Sequence, residues 1–363
     1  MTKKILIVVG TRPNFVKITQ FKKVAKNFPD LEVKIAHTGQ HYDQRMSAVF
    51  LEQFNIEVDY FLGVSATSAN SLIGEIIIAL ESVINNYKPD ILLCVGDVNS
   101  TLAAAISANK LGVKLGHLES GLRSLDRQMP EEVNRILTDE ITDICFVTEK
   151  SGIENLKQIG KKDNQIAFVG NTMIDTLVHF NKEIEASTII EETGLETQDY
   201  ILVTMHRPRN VDTKEALLKI LDLFKNITKN HTVVFSIHPR TKNSFEKFNL
   251  YDDLKNINQL RIIDPQNYFA FQKLVKYSFC VITDSGGIQE ETTFLKIPCI
   301  TLRENTERPS TLEEGTNVLM TFNTKEISNT ISSIINGTFK NGKVPKFWDG
   351  NATKRVLETI QNL

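Results

Sequence analysis

Phe279-Cys280-Val281-Ile282-Thr283-Asp284-Ser285-Gly286-Gly287-Ile288-Gln289-Glu290-Glu291 runs from an apolar, β-branched segment through a glycine pair into a helical pattern. A strand, a tight turn and a helix start in that order make a βα unit, and chains built of such units form parallel sheets flanked by helices. The helix start has free backbone N–H groups at the positive end of its dipole, and two glycines let a phosphate approach the backbone. Glu291 lies four residues beyond Gly287, one turn down the same face, where a carboxylate accepts hydrogen bonds from ribose hydroxyls. The turn therefore points to a nucleotide rather than bare phosphate. The competing reading is a plain helix start in which Asp284 and Ser285 cap the first turn and the glutamates offset the dipole.

Outward from this unit the same alternation recurs. Strands are expected at residues 4–9, 32–37, 90–95, 113–118, 143–147 and 166–169, and again at 200–204, 232–238, 260–263, 279–283, 298–302 and 317–320. A chain of 363 residues exceeds what one core fills, so two domains are expected. The reading is α/β, with two Rossmann-like, doubly wound domains facing a central cleft. The first covers 1–173 and is joined by the C-terminal helix 351–363. The second covers 174–350, with the link in the polar region near 172–198. Ligands of such sheets sit beyond the carboxyl ends of the strands.

Composition excludes several classes. With 41% hydrophobic and 24% charged residues the chain is an ordinary globular protein, neither disordered nor fibrous. A net charge of −2 supports neither nucleic-acid nor membrane-surface binding, so an anionic ligand must be held by local groups. No apolar run reaches transmembrane length, and Ile5-Leu6-Ile7-Val8-Val9 reads as a first strand rather than a signal core. Cys94, Cys145, Cys280 and Cys299 lie in apolar runs without zinc-type spacing, as expected of reduced thiols in a cytoplasmic protein. No metal and no cofactor is expected. A GxGxxG turn is lacking, and the Walker-like spacing Gly337 to Lys343 has Val344 where a magnesium-binding hydroxyl belongs.

The loops after the strands carry the chemistry. Gly10-Thr11-Arg12-Pro13-Asn14-Phe15-Val16-Lys17 places two cations at a glycine turn, suited to a diphosphate. Gly96-Asp97 and His117-Leu118-Glu119 end buried strands in carboxylates, and Pro130-Glu131-Glu132-Val133-Asn134-Arg135 sets Glu131 and Arg135 on one helical face. Three carboxylates in neighbouring loops suit proton transfer, whereas one alone would read as a helix cap. Met205-His206-Arg207 adds a histidine placed to touch a diphosphate or donate to a leaving group. His238 reads as structural. Gln266, Tyr268 and Phe271 line a pocket for a base or simply open a helix.

Taken together, these motifs resemble the non-hydrolysing UDP-N-acetylglucosamine 2-epimerases, whose fold is that of the GT-B glycosyltransferases. The likeness extends from Gly10-Thr11-Arg12-Pro13 through Thr38-Gly39-Gln40-His41 and the loops above to Glu307-Arg308-Pro309 and Asp349-Gly350. It implies a catalytic set of Asp97, Glu119, Glu131 and His206. Arg12, Lys17 and Arg135 would face the diphosphate, and Gln266, Phe271, Ser285, Gly286, Gly287, Glu291 and Arg308 would contact uridine, phosphate and ribose. It also implies a cytoplasmic homodimer that inverts C2 of UDP-N-acetylglucosamine by elimination and re-addition of UDP, supplying N-acetylmannosamine-type sugars for surface polysaccharide. A sister epimerase of UDP-2,3-diacetamido uronates, a hydrolysing epimerase, a GT-B glycosyltransferase and a nucleotide-sugar sensor are the alternatives. The sequence departs from the family at a second, substrate-activating position, where Gln40-His41-Tyr42-Asp43 replaces Gln-His-x-Gln and residues 66–69 lack an arginine. Hyperbolic kinetics are expected from that departure.

Overall fold

The computed structural model describes residues 2–39, 50–66 and 68–363. The chain forms two compact units, Met1–His179 with Lys346–Leu363, and Phe180–Pro345. Both are α/β.

In the first unit the strands β1 (Lys3–Val9), β2 (Leu31–His37), β3 (Tyr60–Phe61), β4 (Ile91–Val95), β5 (Lys114–Leu118), β6 (Ile144–Val147) and β7 (Ile166–Phe168) form one sheet in the order β3-β2-β1-β4-β5-β6-β7. Every pair is parallel. Alternate residues of β1 feed opposite cores: Ile5, Ile7 and Val9 pack on one face, Leu6 and Val8 on the other. Burial on both faces is why these strands read as unbroken apolar runs. The two-residue β3, beside Ala36 and His37 of β2, has no such run and escapes sequence reading.

The helices that matter here are α1 (Arg12–Ile18), α2 (Asn99–Lys110), α3 (Pro130–Ile141) and α4 (Thr172–His179). α4 belongs to this unit because Thr176 Oγ1 donates to Val16 O and meets Thr19 Oγ1 at 2.6 Å.

The second unit repeats the plan with β8 (Tyr200–Thr204), β9 (Thr232–Ser236), β10 (Leu260–Ile263), β11 (Cys280–Thr283), β12 (Cys299–Leu302) and β13 (Asn317–Met320). These are again all parallel, in the order β10-β9-β8-β11-β12-β13. β9 stops at Ser236, two residues before the expected end. His238 instead caps the next helix, its Nδ1 accepting from Arg240 N at 3.1 Å. The second unit also holds the helices α5 (Pro208–Val211), α6 (Tyr268–Lys276) and α7 (Gly286–Leu295).

The chain then returns to the first unit as α8 (Ala352–Gln361). Val356, Leu357 and Ile360 enter the core beside β1, and Asp175 of α4 accepts the N–H groups of Ala352 at 3.0 Å and Thr353 at 2.6 Å. Trp348 is buried nearby and donates to Thr148 O at 2.9 Å. Gly170, at φ +86°, lies so close to Phe347 that a β-carbon would meet its carbonyl oxygen at 2.0 Å.

Strand order reverses between β1 and β4 in the first sheet, and between β8 and β11 in the second. At such points the loops diverge and leave a crevice at the carboxyl edge. The polar loops singled out in the sequence leave from these strands or their neighbours, except the one bearing Gln266, which follows β10 at the sheet edge.

Candidate active site

In the first unit, Asn14 ties the two diverging loops together. Its Oδ1 accepts from Gly10 N and Thr11 N, both at 3.1 Å, while Nδ2 donates to Val95 O at 3.1 Å. Gly10 has no room for a side chain, because a β-carbon would meet Ser100 Oγ at 2.1 Å. So anchored, α1 carries Lys17, in its last turn and only 7% exposed, to an ion pair with Glu119. Lys17 is thus at the favourable end of the helix dipole. Of the two cations, Arg12 stands in the first turn, its guanidinium 5.5 Å from the Phe50 ring centroid.

Glu119 is buried and sits at φ +67°. That conformation costs a non-glycine residue about 1–3 kcal/mol and persists only where its surroundings fix it. They do so through Asp139 of α3, fully buried, which collects His117 Nδ1 at 2.7 Å, Ser120 Oγ at 2.5 Å, Gly121 N at 3.0 Å and Arg123 Nη1 at 2.6 Å. Burial alone would raise the Asp139 pKa, but the bond and charge of His117, the charge of Arg123 and the Ser120 bond bring it down to about 2. The other nitrogen of His117 meets Gly96 O at 2.7 Å. Both ring nitrogens therefore face acceptors. Gly96, at φ +70°, is the centre of the cluster: a β-carbon there would lie 3.4 Å from Asn14 Nδ2 and Lys17 Nζ, and 3.5 Å from Glu119 Oε2.

Next to Gly96, Asp97 receives Arg135 Nη2 at 2.6 Å. The arginine is buried while the Asp97 side chain stays 29% exposed, so the cation is fixed and the carboxylate remains open to a ligand. Arg135 is held from behind by Glu132, which also accepts Ser124 N and Oγ at 2.9 Å and Leu125 N at 3.1 Å. Glu131, the residue singled out in the sequence, is exposed in the first turn of α3. The structure brings Glu132, not Glu131, to Arg135.

In the second unit Asp284 is the organising group. Its buried carboxylate accepts His206 N at 3.1 Å, Arg207 N at 2.9 Å and Asn210 Nδ2 at 3.0 Å, and pairs with His206 Nδ1 at 3.0 Å. Burial would raise its pKa, but the bonds from His206, Asn210 and Arg207 outweigh that and lower it. Asp284 therefore does not cap α7. Ser285 stands at the N-cap position with no side-chain cap bond, and its own N–H goes to Thr283 Oγ1 at 3.0 Å. The helix start thus keeps N–H donors uncapped by side chains, against the plain-cap reading. His206, with Nδ1 engaged, retains a ring 39% exposed.

Gly286 packs against Arg308: a β-carbon would stand 2.9 Å from Arg308 Nη1 and from Glu307 Oε1. Arg308 Nε lies 2.6 Å from Glu290 Oε2, and its Nη1 pairs with Glu307, which also takes Arg303 at 2.8 Å. Two buried carboxylates thereby aim the guanidinium at the start of α7. Five residues on from Gly286, Glu291 is buried; that burial, only partly offset by bonds from Gln272 and Tyr268, lifts its pKa to about 7. Tyr268 and Gln272 share a face of α6 one turn apart. Phe271 packs on the core beside them, and Gln266 is half-buried with Nε2 donating to Asp264 O at 2.8 Å.

Sequence reasoning missed Asn14, Glu132, Asp139, Gln272 and Glu290 as organisers. Glu132 had a signal, being three residues before Arg135 on the helix; Asp139 had none. The departure at Gln40 to Asp43, with Thr67, lies outside the described residues. Among the described residues no group of His, Cys, Asp or Glu is placed to hold a metal, and no helix is long and apolar enough to cross a membrane. All four cysteines are buried and unbridged.

Two parallel-sheet units, each with charged loops at the carboxyl edge beside its reversal point, define an α/β protein of the doubly wound, GT-B-like class. The family model described as UDP-N-acetylglucosamine 2-epimerase matches residues 23–361, and the chain belongs to that family. It is 37% identical to the UDP-N-acetylglucosamine 2-epimerase of Methanocaldococcus jannaschii, with 98% of each chain covered. It is 36% identical to the UDP-2,3-diacetamido-2,3-dideoxy-D-glucuronate 2-epimerase of Pseudomonas aeruginosa, covering 99% of this chain and all of that one. A crystal structure of the M. jannaschii UDP-GlcNAc 2-epimerase with UDP-GlcNAc and UDP superposes with a TM-score of 0.88 at 37% identity, covering 99% of this chain and 100% of that one.

Proposed function

We propose that this chain reversibly inverts C2 of UDP-N-acetylglucosamine to give UDP-N-acetylmannosamine, by elimination and re-addition of UDP. The supporting observation is that Asp97 and Glu119, at the ends of the neighbouring strands β4 and β5, are each fixed by a buried cation, Arg135 and Lys17. The C2–H bond is not acidified by an adjacent carbonyl, so direct proton removal is hard. In elimination a carboxylate takes the C2 proton, the C–H electron pair forms the C1=C2 bond, and the C1–O pair leaves with UDP. Reprotonation on the opposite face and return of UDP to C1 complete the inversion. Two carboxylates on fixed supports suit the two faces, and Arg12, Lys17 and Arg135 are the cations for the leaving diphosphate.

In this reading the second unit holds UDP throughout. The uncapped start of α7 at Ser285, Gly286 and Gly287 takes a phosphate with Arg308, Glu291 takes the ribose hydroxyls, and Gln266 and Phe271 flank the base. His206, steadied by Asp284, serves the diphosphate side of the reaction. Glu131 stays in the catalytic set only if ligand binding draws it in from solvent. A cytoplasmic homodimer feeding surface polysaccharide synthesis belongs to the same proposal, with the unbridged, buried thiols in support of the compartment.

The deciding experiment incubates the purified protein with UDP-N-acetylglucosamine in D2O and follows C2 by NMR. Deuterium at C2 with formation of the UDP-linked manno epimer is expected. Free N-acetylmannosamine with UDP would make the enzyme hydrolysing, and turnover confined to a 2,3-diacetamido uronate would assign it to the substrate class of the P. aeruginosa relative.

The elevated Glu291 pKa gives a second expectation. Ribose hydroxyls donate to the ionised carboxylate, so binding must lower a pKa that starts near 7. Affinity for UDP-N-acetylglucosamine, whose diphosphate has no ionisation in this range, is fully present above that value and falls as pH drops below it. Calorimetry between pH 6 and 8 in buffers of different ionisation enthalpy should show proton release. Glu291→Ala should abolish the release and weaken binding by about 1–3 kcal/mol. A flat pH profile would remove Glu291 from the ribose site.

A further inference from the structure

The groups that fix Glu119 share an unusual origin. The four donors to the Asp139 carboxylate, from His117, Ser120, Gly121 and Arg123, all belong to residues 117–123, which bracket Glu119 on both sides. Both oxygens are used: Oδ1 takes His117 and Ser120, Oδ2 takes Gly121 and Arg123. The same segment is tied to its neighbours by Gly96 N to Leu118 O at 3.1 Å and Ser120 N to Phe146 O at 3.2 Å. His117 bridges onward to Gly96 O, beside Asp97. Asp139 itself has no exposed surface, so no ligand reaches it.

We infer that Asp139 is a positioning residue for the reaction: from α3 it gathers the turn after β5, holds Glu119 in its left-handed backbone conformation facing Lys17, and through His117 sets the distance of that turn from the Asp97 loop. The inference rests on the proposed role of Glu119. A carboxylate is required because all four groups donate, and an asparagine at this place offers one acceptor oxygen and turns an N–H₂ toward donors. The turn then relaxes, and Glu119 moves while the UDP contacts of the second unit keep their own supports. Displacement of a reacting group by about 1 Å costs on the order of 100-fold in rate.

The test compares Asp139→Asn, Glu119→Gln and the double variant, with the fraction of folded, binding-competent protein fixed by the stoichiometry of UDP titration. Asp139→Asn should lower kcat per competent site by about 10- to 100-fold with KM within about threefold. In the Glu119→Gln background the same change should cost less than about twofold, because a group already disabled cannot be mispositioned. An equal loss in both backgrounds, or a loss that merely follows the competent fraction, overturns the inference. If Asp139→Asn does not fold, Ser120→Ala, which removes one of the donors on Oδ1, is read in the same cycle. Full turnover by Glu119→Gln would instead overturn the assignment of Glu119, and with it the basis of the inference, which separates the two failures.

Discussion

Glu119→Gln and Asp97→Asn are each expected to slow C2 inversion by about 100-fold or more, the loss that follows removal of a positioned proton-transfer group. Both changes keep shape and most hydrogen-bonding capacity, so affinity for UDP should stay largely intact. Their side effects should differ. Lys17 is buried and pairs with Glu119, so Glu119→Gln leaves a buried cation without that counter-ion and lowers stability as well as rate. Arg135 keeps Glu132 when Asp97 is neutralised, and the Asp97 side chain is partly exposed, so Asp97→Asn should unfold close to the wild type. Steady-state turnover with UDP calorimetry and urea unfolding on the same samples reads all three quantities. Near-normal turnover in both variants would reject the proton-transfer assignment.

Asp284→Ala should produce the largest loss of stability in the second unit, about 3–5 kcal/mol, because it removes a buried acceptor that several donors share. His206 N, Arg207 N and Asn210 Nδ2 all end on this carboxylate, and of the three Asn210 Nδ2 also reaches Leu302 O at 3.3 Å. The sole tryptophan, Trp348, lies in the first unit, so its fluorescence should change less than far-UV circular dichroism during urea unfolding. Amide exchange at residues 206 and 207 should quicken. The pH dependence has a definite sign. The folded pKa of Asp284 lies below that of the unfolded chain, near 3.9, so its contribution is complete above that value and disappears as pH falls through the folded one. The stability gap between wild type and variant should therefore begin to narrow as pH falls below about 4. A midpoint unchanged at neutral pH would show that water replaces the carboxylate without penalty.

Residue type and period were enough to read the sheets, because a parallel strand buried on both faces must be apolar throughout. Ile5 to Val9, Ile91 to Val95 and Cys280 to Thr283 could hardly be anything else. The polar loops were legible for the complementary reason: charges placed where a buried strand ends stay solvated or meet a ligand, and Arg12, Asp97, Glu119, His206 and the glycine pair all stand there. Partner choice was not legible. Whether Glu131 or Glu132 meets Arg135 turns on the roughly 100° that separates neighbours on a helix, and the helix phase is set by how α3 docks. Lys17 finds Glu119 across 102 residues only because β4 inserts between β1 and β5, and Asp284 gathers the 206–210 loop because β11 lies beside β8. Periodicity and spacing determined the α/β class and the loops that bear the chemistry, and the resemblance of its motifs pointed to the family. Which carboxylate is paired, buried or shifted in pKa was decided by strand order and packing, since burial and hydrogen-bond partners are properties of neighbours in space.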